Sequence, residues 1–258
     1  MAIDFEKPPI NEVVIGKVYE TRTDLTIPYF GRFWDLVKDE FPTCEHAIPI
    51  VDQPAANMLA ALGSLLPRVW FIGQDATRLI QLQQDRFYYD WRQTPGQSEN
   101  YVRFDSIYKQ YRKYSDVLSA FIVSQLGSEL VSKRLDLTYV NALPQGDVWN
   151  ELSDLSSVFR GLDFISSYGR IGAVSQGALR IELKMTNCPG TMTVQIGSGK
   201  SAPNEKSIVR MELSCTCELS QFPGVSESEW YKAAHDAIVG GFCEVTTERA
   251  QRLWKRLS

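Results

Sequence analysis

The sequence predicts an α+β protein made of two halves, each an antiparallel sheet of about four strands followed by a long amphipathic helix. Three observations lead there. Residues 68–92, RVWFIGQDATRLIQLQQDRFYYDWR, hold three short runs rich in β-branched and aromatic residues (Val69–Gln74, Leu79–Gln84, Phe87–Arg92). Polar pivots at Asp75-Ala76-Thr77 and Asp85-Arg86 separate them, which is the grammar of consecutive antiparallel strands. In both halves the strand-like runs precede a helical pattern instead of alternating with it, which argues against a parallel βαβ sheet.

Taken in order, Asn11–Glu20 reads as a first strand with Val13 and Ile15 inward. Pro28 suits the first turn of a helix whose Phe30, Phe33, Trp34, Val37 and Phe41 recur at helical spacing until Pro42. Prolines 42, 49, 54 and 67 make 42–67 an irregular connection with one short helix around Asn57–Leu66. After the meander and a loop at 93–100, Phe104, Ile107, Tyr111, Tyr114, Leu118, Phe121 and Gln125 form one stripe of a long helix stopped near Gly127. Arg134–Leu143 is a further alternating strand. These elements define an N-terminal half, 1–143, a connection, 144–160, and a C-terminal half, 161–258. The last opens with strands at Phe164–Ile171, Leu179–Thr186, Met192–Ile196 and Ile208–Leu219, with Gly197–Lys206 as a turn. A helix entered through a Ser226-x-x-Glu229 capping box and a final segment at Thr247–Leu257 close the chain.

Composition narrows the function classes. With 258 residues, 44% hydrophobic and 22% charged, the chain can bury a substantial core. A net charge of −4 argues against a globally basic nucleic-acid binder. No apolar run approaches the roughly 18 residues of a membrane span, and MAIDFEKPPINE lacks the basic patch and apolar run of a secretory signal, so a cytoplasmic location is expected. Five cysteines, Cys44, Cys188, Cys215, Cys217 and Cys243, are an odd and scattered set that reads as buried thiols, with no ligand spacing for a metal. No cofactor is expected.

Several blocks carry a resemblance. They are Pro8-Pro9-Ile10-x-Glu12-Val13, Ile80-Gln81-Leu82-Gln83-x-Asp85-Arg86-Phe87 with Trp91-Arg92, Tyr101-Val102-Arg103-Phe104, Tyr139-Val140-Asn141, and the late helix with His235 and Phe242. Through them the chain resembles a sporadically distributed family of uncharacterised prokaryotic proteins of about this length. The resemblance implies a soluble α+β protein, carries over no catalytic residues, and suits a mobile or defence-linked gene.

Each motif that suggests chemistry also has a plainer role. Gly197-Ser198-Gly199-Lys200-Ser201 lacks the leading glycine of a phosphate-binding loop, because position 194 is Val, and no helix follows it. Asp163 with Glu182-Leu183-Lys184 imitates the carboxylates and lysine of a divalent-metal nuclease, although Arg180 beside them suits a solvated strand face. Asp85, Arg86, Asp90 and Arg92 alternate in sign as cross-strand pairs do. Gln81, Gln83, Asp85 and Trp91 share one parity and, with Arg86 and Arg92, form the candidate binding surface. His46 and His235 lack a nucleophile partner; His235 reads as a helix residue with a local hydrogen bond. Lys109, Arg112 and Lys113 fall outside the core stripe of their helix and give only weak support to a nucleic-acid partner.

The leading expectation is a non-enzymatic binding protein that recognises a protein partner, with a homodimer compatible. A metal-dependent nuclease or phosphodiesterase using Asp163, Glu182 and Lys184 is the alternative. A small-molecule carrier with an apolar cavity between sheets is the second.

Overall fold

The computed structural model describes residues 4–52, 66–94, 101–162, 172, 174–200 and 206–257. Its strands are β1 (Ile10–Tyr19), β2 (Thr43–Ala47), β3 (Arg68–Ile72), β4 (Arg78–Gln83), β5 (Arg86–Arg92), β6 (Ser132–Pro144), β7 (Ala178–Lys184), β8 (Thr191–Lys200) and β9 (Ser207–Glu218). The helices are α1 (Ile27–Val37), α2 (Phe104–Leu126), α3 (Glu227–Val245) and α4 (Glu248–Leu253), with a 3-10 segment at Leu152–Ser157.

The expectation of two separate sheets is overturned. All nine strands belong to one antiparallel sheet ordered β2-β3-β4-β5-β1-β6-β9-β8-β7. The long strands β1 and β6 lie side by side in its middle, and the hairpin ladders flank them. Local periodicity identifies most of the strands but carries no information about the pairing of β1 with β6, more than a hundred residues apart in sequence. The chain forms two compact units, Val14–Asp136 and Met1–Val13 with Leu137–Ser258. They are called the inner and the split unit below.

In the inner unit the β3–β4–β5 register is Val69↔Leu82↔Phe87 and Phe71↔Ile80↔Tyr89, which gathers apolar side chains on one face. The helices cover that face. Phe33 of α1 meets Phe71 and Phe121, and Tyr111 and Tyr114 of α2 lie against Phe87 and Tyr89. The α2 stripe buries Phe104, Ile107, Tyr111, Tyr114, Leu118 and Phe121, and Gly127 ends the helix in the left-handed conformation that glycine favours. Strand β2, antiparallel to β3, lies inside the proline-punctuated stretch read as a connection. The expected helix around Asn57–Leu66 falls almost wholly outside the described residues.

In the split unit, β7, β8 and β9 form a ladder in which Leu183↔Met192↔Cys215 and Ile181↔Val194↔Leu213 share a face. α3 packs on β9 and buries Trp230, Tyr231, Ala234, Ile238 and Phe242. Ser226 is its N-cap, but the expected capping hydrogen bond is absent; the capping box sits instead at Glu151 and Asp154 of the 3-10 segment. Gly197–Lys200, read as a turn, continues β8 and pairs with Arg210–Ser207. The expected strand at Phe164–Ile171 lies outside the described residues. No helix among the described residues is long and apolar enough to cross a membrane.

Gly190, in the β7–β8 turn, combines two constraints. Its φ is +117°, and a Cβ there would run into the Thr216 carbonyl of β9. Gly224 has φ +82° with open space around it. Gly190→Ala is expected to cost about 2–4 kcal/mol and Gly224→Ala about 1 kcal/mol, measured by urea unfolding. Equal costs would show that the contact with β9 is relieved without penalty.

Candidate functional site

Two regions concentrate the polar and cavity-forming chemistry, one in each unit. The first is the face of β3–β5 turned away from the helices. The turn between β4 and β5 holds two residues, Gln84 and Asp85, since Gln83 pairs with Arg86. Gln81, Gln83, Arg86, Tyr88 and Asp90 therefore share this face, and all are buried. Trp91, expected beside Gln81, lies on the opposite face, where it meets Tyr101 edge-on. Simple parity counting ran through the turn without resetting there. Arg92 donates to the Ala76 carbonyl at 2.8 Å.

The polar face is knit by an alternating chain of charges. Arg86 forms one two-pronged pair with Asp85 (2.7 and 3.0 Å) and another with Asp52 (both 3.2 Å). Asp52 also faces Arg134 at 3.2 Å, and Arg134 grips Asp136 at 2.7 and 3.1 Å. Tyr88 donates to Asp136 at 2.7 Å. Gln83 accepts from the Ile50 amide at 2.9 Å and donates to the Ile50 carbonyl at 3.1 Å, so the chain before Asp52 is held as a strand would hold it. Gln81 accepts from Arg68 at 2.7 Å and from Trp70 at 3.2 Å, and donates to Asp90.

Each acid–base shift follows from these contacts. Partial burial alone would raise the Asp52 carboxyl, but Arg86 and Arg134 outweigh it and hold it below the ordinary carboxylate value. Burial, reinforced by Asp136, raises the Tyr88 hydroxyl. Burial works against the charge of Arg86, yet Asp85 and Asp52 keep it cationic. Thus Gln81, Gln83, Asp85 and Arg86 are brought together, with their polar groups engaged by the protein itself. Their partners Asp52, Tyr88, Arg134 and Asp136 were missed, because contacts between distant segments leave no local pattern.

The second region lies in the split unit. The 3-10 segment, with Leu152 and Leu155, and Leu162 after it roof the apolar face of β7 and β8 at Leu179 and Ile196. They enclose a slot of about 200 Å³. A wider vestibule of about 700 Å³ shares Leu152, Val174, Gln176 and Ser198 as walls and adds Gln145, Trp149, Asn150 and Lys200. Lys200 and Glu151 are the charged side chains among the described vestibule residues. The Glu151 carboxylate is occupied by the capping box of the 3-10 turn. Nothing in a connection over 144–160, as the sequence predicts it, points to this cleft. The spacing of Leu152, Leu155, Val158 and Leu162 was the available signal.

The other candidates sit apart from both regions. Glu182 and Lys184 share the exposed face of β7 with Arg180, which lies 3.8 Å from Glu182, while Asp163 is outside the described residues. No group of three or more potential metal ligands occurs among the described residues. His235 meets the distant Tyr139 hydroxyl at 2.9 Å through Nδ1. Cys215 and Cys217 point to one buried face of β9, where burial raises their thiols to about 12 and about 11.

Comparison with known proteins adds little. No protein-family model matches the chain, and no curated protein matches it. Among solved structures, DynU16 from the dynemicin biosynthetic locus aligns over 73% of this chain and 68% of its own, at 11% identity and a TM-score of 0.27. The di-domain aromatase/cyclase StfQ of the steffimycin pathway aligns over 90% of this chain and 98% of its own, at 8% identity and a TM-score of 0.19. Overlaps this loose leave the chain's own geometry as the ground for a functional reading.

The Asp52 carboxylate should give the inner unit a pH signature. Its folded pKa is depressed, so its contribution is present above the unfolded carboxylate value of about 4 and disappears as pH falls through the folded value. With 40% of its side chain exposed, solvent screening limits that contribution to about 1 kcal/mol. Asp52→Asn is expected to lower the urea midpoint at pH 7 and to converge on wild type as pH falls below the depressed folded value. A gap that does not shrink with acid would show that charge is not what Asp52 supplies.

Proposed function

We propose that the split unit is a receptor for a small amphipathic molecule, one with an apolar portion and an acidic or strongly polar head. One observation carries this reading: the apolar slot behind Leu152 and Ile196 opens directly into a vestibule several times larger and lined by amides, hydroxyls and Lys200. Ligand sites are commonly concave, apolar in their depth and supplied with a few polar groups that fix orientation. Leu155, Leu162, Leu179 and Ile196 offer the apolar depth. The apolar portion gains by leaving water at about 25 cal/mol per Å², and the head remains within reach of the polar rim. This reading favours the small-molecule alternative over a macromolecule met at Gln81 and Arg86, whose hydrogen-bonding groups are engaged internally.

Calorimetric titration with decanoate and with decanol tests it. Both are expected to bind, decanoate more tightly, and Lys200→Gln should remove the difference between them. Val174→Trp, at a half-buried position bordering both compartments, should weaken both at least tenfold, or about 1.4 kcal/mol, without lowering the melting temperature of the free protein. Absence of binding by either probe, together with native mass spectra showing no small molecule retained from the source cells, would overturn the proposal.

A further inference from the structure

Strand β7 ends the sheet, and no strand pairs with its outer side among the described residues. Open edges are usually blunted by proline, inward charges or bulges because they template further pairing. β7 has none of these at its centre, which reads Leu179-Arg180-Ile181-Glu182-Leu183. Residues 180–184 are all exposed, with Ile181 at 40% and Leu183 at 47%.

The backbone shows which groups are on offer. The amide of Met185 donates to Gly190 at 3.1 Å and that of Ser198 donates to the Gly177 carbonyl at 3.0 Å, so the odd-numbered positions turn their polar groups toward β8. The N–H and C=O groups of Arg180 and Glu182 consequently point outward.

We propose that β7 pairs antiparallel with β7 of a second copy of this chain, about a two-fold axis through Ile181. Charge complementarity selects the partner and, together with overlap along the whole strand, the register. Centred on Ile181, Arg180 lies opposite the second copy's Glu182, and the reverse holds by symmetry. Both are hydrogen-bonded pairs, which exchange two backbone bonds each. Leu179 meets Leu183 on the other face, and Ile181 meets its own counterpart in a non-hydrogen-bonded pair, where side chains approach most closely. Centring on Glu182 would oppose Glu182 to itself and Arg180 to Lys184. Centring on Arg180 would oppose Arg180 to itself, and centring on Leu183 would set Glu182 opposite Lys184 but overlap only the last three residues of β7, where centring on Ile181 pairs the whole strand. Like charges directly opposite are destabilising, and a one-residue slip would set apolar against charged side chains. The other edge strand, β2, with Thr43, Cys44, Glu45, His46 and Ala47, has no large apolar residue to offer.

Sedimentation velocity on the full chain tests the pairing. A single short strand makes a small interface, so the measurement is set at about 100 µM protein, where wild type should sediment as a dimer. Ile181→Lys places two ammonium groups face to face and should raise the dissociation constant about a hundredfold, with unfolding unchanged because the site is exposed. Arg180→Glu and Glu182→Arg should each be monomeric, since each sets like charges opposite one another. Mixed in equal amounts they should form a heterodimer, one strand carrying two cations and the other two anions. A monomeric wild type, a dimer indifferent to Ile181→Lys, or a mixture that stays monomeric would each overturn the proposal.

Discussion

The constraint on which the rest depends is the two-residue alternation of an antiparallel sheet that has only a few helices to cover it. Every strand commits alternate side chains to opposite faces, so each apolar face needs a cover and each opposite face needs a polar solution. In the inner unit two helices shield β3–β5 so well that Phe33, Phe71, Phe87 and Tyr89 are almost wholly removed from water. In the split unit α3 shields β9, and the same apolar face runs on through β8 to the exposed Ile181 and Leu183 of β7.

On the far face of the inner unit, the solution is buried charge. Taking ions out of water costs several kcal/mol each, and geometry must return it. The chain Asp85–Arg86–Asp52–Arg134–Asp136 does so by giving each of the two guanidiniums two carboxylates, with Tyr88 closing one end. Such a network has little tolerance for a missing member, since deletion of one ion strands its neighbours in a low-dielectric setting. It also defines position more sharply than apolar contact does. Gln83 at Ile50 and Arg86 at Asp52 fix where that segment crosses the strands, although nothing in its local sequence demands a regular element. The exposed counterpart in the split unit, with Arg180, Glu182, Arg210 and Glu212 on solvated strands, spends no desolvation energy and gains correspondingly little.

What could be read from the sequence follows the range of the interaction. The meander was legible because β-branched and aromatic runs between polar pivots are local, and so was α2, whose stripe from Phe104 to Phe121 repeats every turn. Strand β2 was hidden because its exposed residues lack alternation and prolines bracket it. Trp91 was placed on the wrong face because a two-residue turn at Gln84-Asp85 reverses parity relative to a simple count. The union of all strands in one sheet was invisible, because it rests on β1 and β6, whose pairing joins remote parts of the chain. Within the candidate cleft, Leu179 and Ile196 were legible as members of strands, though not by face. The roof left only the spacing of Leu152, Leu155, Val158 and Leu162, since a 3-10 segment has too few turns to establish a period.

The cleft and the open edge are two consequences of one shortage of cover. At Leu179 and Ile196 the apolar face of β7 and β8 is roofed by a short 3-10 segment, which is too small to fill the space beneath it and leaves the slot and vestibule. Further along the same strand, at Ile181 and Leu183, no element among the described residues covers the face and the side chains are exposed. A helix laid over β7 would bury both stretches and abolish both features. Exposed apolar surface on an edge strand carries a continuing risk of non-specific pairing. Arg180 and Glu182 narrow that risk, since centring on Ile181 pairs β7 over its whole length and sets each of their charges opposite the other's.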